Sequence, residues 1–160
     1  MRKLVLTLCL LASPAVAQEG TFTVKHLTPE TALKAAQATL AACRADGAQI
    51  AVAVVDRSGI VQVVLRDRLA GPHTVSIAID KAWTAVSFRQ STLELVQATQ
   101  TPDMAGVRQF PRFVAVGGGV LIEGAGSIFG GIGVSGAPGG AHDDRCAKAG
   151  LAAIADELNF

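Results

Sequence analysis

The chain has 160 residues, half of them hydrophobic and 17% charged, with a formal net charge of +1. That length suits one ordinary domain with a sizeable core. Without a cluster of Lys and Arg to meet phosphates, nucleic acid is excluded as a partner.

Residues 1–17 read as a secretory signal peptide. Arg2 and Lys3 give a positive start, Leu4 to Ala12 an apolar run, and Ala15-Val16-Ala17 the small-x-small pattern of a cleavage site. The run is too short to span a bilayer, and no second long apolar segment follows it. Membrane insertion after cleavage is therefore not expected. Cys9 lies inside the run rather than just after the cleavage site, and no twin arginine is present. General export to the periplasm or the medium is expected, leaving residues 18–160 as a single domain with a side-chain charge one unit negative.

Thr28-Pro29 predicts a helix start, because the hydroxyl can accept a free backbone N–H and proline suits the first helical position. Leu33, Ala36, Leu40 and Cys43 follow at helical spacing, and Asp46-Gly47 should end the helix. Ile50 to Val55 and Ile60 to Leu65 read as strands joined by the turn Asp56-Arg57-Ser58-Gly59. The first strand is apolar on both faces, so layers are expected on both sides of it.

Gly71-Pro72-His73-Thr74 interrupts the pattern. A helix rich in small residues then spans about 75–89, suited to close packing on a sheet, and a short one spans 92–98. Phe113 to Val116, Val120 to Glu123 and Ser127 to Val134 read as three further strands in a glycine-crowded region. Those glycines permit tight turns or the close approach of a ligand. A last helix is expected over 143–158, with Cys146, Leu151, Ile154, Ala155 and Leu158 inward. The order α-β-β-α-α-β-β-β-α predicts a three-layer α/β/α domain around a five-stranded antiparallel sheet.

Few motifs carry chemistry. Ser135 lacks the spacing of a nucleophile elbow, and no Walker loop, H-E-x-x-H, zinc spacing or C-x-x-C-H is present. No acid–base pair or nucleophile stands out as catalytic. His73 and His142 precede predicted helices, positions from which an imidazole can ligate a metal. Lys81, among small and apolar residues, either snorkels from the sheet or pairs with a buried acid or an anionic ligand. Arg66, Asp67 and Arg68 form a solvated edge or the rim of a pocket. Asp143 and Asp144 stand where a helix N-terminus should be capped, just after Gly139-Gly140, whose amides can face an anion. Cys43 and Cys146 fall on two predicted helices at opposite ends of the chain. In an exported protein they form one bridge or stay as buried free thiols, the bridge being the preferred reading.

Three blocks together, "VAVVDRSG" at 52–59, "KAWTAVSFRQST" at 81–92 and "GGIGVSGAPGGAHDDRCAKAG" at 130–150, resemble the haem-degrading GlcG/HbpS (DUF336-like) family over nearly all of the mature chain. The resemblance implies a profilin-like fold with a five-stranded antiparallel sheet, assembly into homo-oligomers and non-covalent haem as the ligand. It places Asp56 and Gly59 in a hairpin turn, Lys81 and Thr84 in the central helix, and Asp143, Asp144 and Cys146 at the start of the last one. Asp144 replaces the more usual glutamate. It transfers no axial ligand, so His73 and His142 stay candidates for iron, with Lys81 and Asp143 as further contacts. Storage, sensing or protection from haem is the expected role. The alternatives are an enzyme acting on a small organic molecule and a structural or accessory oligomer.

Overall fold

Thr28 starts the first helix as its chemistry suggests. In the computed structural model, which describes residues 20–159, helix α1 spans Pro29–Ala45 and the Thr28 hydroxyl accepts from the Thr31 amide. The proposed signal peptide and Gln18 lie outside the described residues. The helix ends at Asp46, and Gly47 turns the chain with φ 77°. Its buried stripe is Ala32, Ala35, Ala36, Thr39, Leu40 and Cys43; Leu33, expected inward, is exposed.

β1 (Ala51–Asp56) and β2 (Val61–Arg66) pair antiparallel, from Ala51 opposite Arg66 to Val55 opposite Val61. In the turn, Asp56 Oδ1 accepts from the amides of Ser58 and Ile60 at 2.8 and 2.9 Å. Gly59 has φ 78°, and a Cβ there would stand 2.7 Å from the Trp83 indole. Helix α2 (Thr74–Phe88) and α3 (Thr92–Ala98) come next; Ser91 and Glu94 form a capping box for α3. Then β3 (Gly119–Gly124) and β4 (Ser127–Ser135) pair antiparallel across a turn at Ala125-Gly126. Since β4 also pairs antiparallel with β1, the strand order is β2-β1-β4-β3.

The sheet therefore has four strands, which corrects the expected five-stranded, profilin-like architecture. The missing strand is Phe113–Val116. Its backbone bonds to a helix side chain instead of a ladder: the Thr84 hydroxyl donates to the Arg112 carbonyl and accepts from the Val114 amide, at 3.2 and 3.1 Å. Phe113 packs edge-on against Phe88, with ring centroids 4.9 Å apart. A short apolar run cannot by itself distinguish a strand from a strap laid over a helix. The last helix is also divided. α4 runs Gly140–Ala152 and α5 Ala155–Leu158, and the break lets Ile154 and Leu158 both reach the core.

The two faces of the sheet pack differently. Val52, Val54, Ile122, Ile132 and Val134 point to one face, where α1, α4 and α5 cover them. Ala51, Ala53 and Val55 point to the other, against Ala78, Ala82 and Val86 of α2. There the glycines serve a purpose that the sequence reading assigned to turns or ligands. A Cβ at Gly133 would stand 2.0 Å from the Ala78 carbonyl oxygen, so the α2 backbone lies directly on the strand. Across the other layer, Cys43 of α1 and Cys146 of α4 form a disulfide with Cα atoms 5.4 Å apart and a sequence separation of 103. Closing a loop of that length contributes about 4–5 kcal/mol in the chain-entropy model.

Candidate functional site

Lys81 and Asp143 meet where both layers wrap round the end of the sheet. Lys81 leaves α2 among small residues, and its Nζ donates to the Val134 carbonyl at the end of β4 and to Asp143 Oδ2, both at 2.8 Å. Asp143 Oδ1 accepts from the Ala137 amide at 3.0 Å. The side chains are only 2% and 5% exposed. Gly118, φ 118°, closes the site: a Cβ there would stand 2.7 Å from both Asp143 Cβ and the Val134 oxygen.

Burial pushes the Asp143 carboxyl above its ordinary range and the Lys81 ammonium below its own, while their mutual hydrogen bond and charge attraction pull the other way. Asp143 is in the first turn of α4, but it is not the expected cap. That position belongs to Gly139, which offers no side chain. The carboxylate instead ties the approaching loop to α2.

The other candidates separate. Asp144 is buried beside the pair; its Oδ2 holds Lys148 at 2.7 Å, and its Oδ1 has no hydrogen-bond partner among the described residues. His142 Nε2 lies 3.0 Å from Asp46 Oδ2. His73 is exposed at the start of α2, makes no side-chain capping bond, and lays its ring against Gly71. The structure brings Lys81 and Asp143 together, with His142 one residue away; among the described residues no hydrogen bond or ion pair joins His73 to any of them. Asp67, read as part of a solvated edge or rim, is 2% exposed and paired with Arg44.

Sequence reasoning missed the cavities. One of about 400 Å³ lies beside edge strand β3, lined by Leu121, Glu123, Lys148, Leu151, Ala155 and Leu158 among others. Its lining residues flank the break between α4 and α5, and no Gly or Pro stands at the break itself, over 151–157. A cleft of about 110 Å³ lies between His26, Leu27, Thr31, Phe129 and Leu158. Neither contains His73, Lys81, His142 or Asp143. The larger has the volume of a small-ligand site but no imidazole, thiol or thioether among its lining residues.

The family model described as "Haem degrading protein HbpS-like" matches residues 27–152. The chain belongs to this HbpS-like family. A double mutant of HbpS from Streptomyces reticuli is 39% identical, with 90% of this chain and 98% of that one covered and a TM-score of 0.80. The Klebsiella pneumoniae protein ORFY is 26% identical over 86% of this chain and 97% of that one, TM-score 0.82. PduOC, solved in complex with haem, is 27% identical over 81% of this chain and 96% of its own, TM-score 0.76. No curated protein sequence matches the chain significantly. The HbpS-like match covers all three blocks that carried the resemblance, from β1 through most of α4.

Proposed function

We propose that the chain is an exported haem-binding protein of the periplasm or the medium, acting in storage, sensing or protection from free haem. The observation that carries this reading is membership of the HbpS-like family, one of whose structural relatives was solved with haem. The donor set is compatible with haem. His73 is an exposed imidazole beside Pro72 and near Leu69 in sequence, and Leu69 is itself 78% exposed. An exposed imidazole close in sequence to exposed apolar side chains supplies the first need of a non-covalent haem site, an axial ligand.

His73 is the proposed iron ligand. His142 is second, because its side chain is only 15% exposed and offers a macrocycle less access. Burial of Lys81 and Asp143 supports a role in holding the frame of the domain rather than touching a macrocycle. Neither cavity described above combines a histidine with room for a porphyrin. This favours a surface site closed by a second copy, and so a homo-oligomer. Bound iron would bring oxidant-activating chemistry; no residue is assigned to a reaction. The enzyme alternative gains nothing from the site, since the cation best suited to an organic acid, Lys81, is already spent on Asp143.

Haemin titration of residues 18–160, followed by absorption, tests the reading. The expected result is a saturable Soret spectrum that His73→Ala abolishes and His142→Ala leaves in place. Weak, non-saturable binding, equal in all three proteins, would overturn it.

A further inference from the structure

We propose that Cys43, Cys146 and His142 form a reduction-gated site for a borderline-soft divalent cation, Zn²⁺ in the first place. The site is independent of the haem reading. One ligand atom from each residue lies within 4.8 Å of the other two. While the sulfurs are bonded to each other, neither is a thiolate, and the site is closed to metal.

The helices hold the three donors. His142 and Cys146 are four residues apart on α4 and share one face of it, while Cys43 meets them from the last turns of α1. Two thiolates and an imidazole are the donors that Zn²⁺ prefers, with one position left for solvent. Asp46 adds what a ligating histidine needs. Its carboxylate on one ring nitrogen orients the imidazole and leaves the other nitrogen for a cation. Both cysteines are buried, and the His142 side chain is 15% exposed, so the histidine edge is the entry for the ion.

The chemistry balances with a dithiol or phosphine reductant. The reductant supplies two electrons, the Cys43–Cys146 bond breaks, and each sulfur takes up a proton; a dithiol closes to its own disulfide and furnishes the protons, whereas a phosphine becomes its oxide with water supplying the oxygen and both protons. Zn²⁺ then displaces both thiol protons to solvent as two sulfur–metal bonds form. The sulfurs part by side-chain rotation, within the reach allowed by Cα atoms 5.4 Å apart.

The test uses the 18–160 protein, oxidised or reduced with a phosphine that is then removed without air, and titrated with Co²⁺ as a spectroscopic substitute for Zn²⁺. The reduced protein should gain near-ultraviolet sulfur-to-cobalt charge transfer and tetrahedral visible bands at one ion per chain, and the oxidised protein neither. His142→Ala and Asp46→Asn should each weaken binding by at least about tenfold. Far-UV circular dichroism accompanies each titration. A folded reduced chain without the charge-transfer band, or one whose affinity ignores His142→Ala, would overturn the proposal. So would loss of helix on reduction, because the site requires α1 and α4 to stay in place.

Discussion

The two faces of the sheet hold their helices by opposite means. On the α1/α4 face, Val52, Val54, Ile132 and Val134 fill the space with side chains, and the Cys43–Cys146 bridge locks the helices over them. On the α2 face the strands offer glycine and alanine, and the helix backbone comes down onto them. The first face gains from buried apolar area. The second gains from close contact between main chains, where extra atoms do harm. Tolerance to substitution should differ accordingly: the side-chain face yields gradually and the backbone face abruptly.

Gly133→Ala breaks the comparison at its sharpest point. The residue lies in regular strand, so conformation does not forbid alanine, but the methyl would meet the Ala78 carbonyl at 2.0 Å. A loss of more than about 4 kcal/mol is expected, in the exceptional class for one substitution. Urea unfolding measures it, or the soluble yield if the chain no longer folds. Gly106→Ala is the control, since nothing lies within 4 Å of its Cβ position. A loss at Gly133 within about 1 kcal/mol of that control, well below this class, would mean that α2 can lift away freely.

Lys81→Met tests the join between the faces. It leaves the Asp143 carboxylate buried without its cation, and breaking a buried pair in this way costs about 3–5 kcal/mol. The sign of the pH dependence follows from Asp143, whose folded-state pKa burial already raises. Without Lys81 it rises further. The penalty is full above that raised value and shrinks as pH falls towards the ordinary carboxylate range, where the carboxyl is neutral in both states. Urea midpoints of variant and parent should therefore converge on acidification. A gap that is constant or widens towards acid would show that Asp143 does not carry the penalty.

These sites also mark how far the sequence could be read. The starts of α1, α2 and α3, the first hairpin and both remaining strands followed from local signals such as Thr28-Pro29 and Asp56-x-x-Gly59, whereas the start of α4 at Gly140 and the separate α5 did not. Phe113–Val116 misled because its partner, the Thr84 hydroxyl, lies about thirty residues earlier on a helix. The small residues of α2 announced close packing on a sheet, yet the glycines of β4 were credited to turns or ligands, because the strand does not reveal which helix lies on it. A buried acid was among the readings for Lys81. Nothing local selected Asp143, 62 residues on, whose position before an alanine-rich helix suggested a cap. Cysteine count left the bridge open, since only the fold brings the two β-carbons together.

Ile132→Val is the mildest test and bears on the other side of the comparison. Ile132 is fully buried on the side-chain face, opposite Val54 and Val120 in the ladder, so removing one methyl group leaves a small void without touching a main-chain contact. The expected loss is about 0.5–1.5 kcal/mol, read as a lowered urea midpoint with an unchanged slope. Gly133 is the next residue along the same strand and points to the opposite face. If Ile132→Val matched Gly133→Ala in severity, position in the strand, rather than the manner of packing on each face, would set the cost. A loss several times smaller would locate the intolerance on the α2 face, where the helix backbone leaves no room for a side chain.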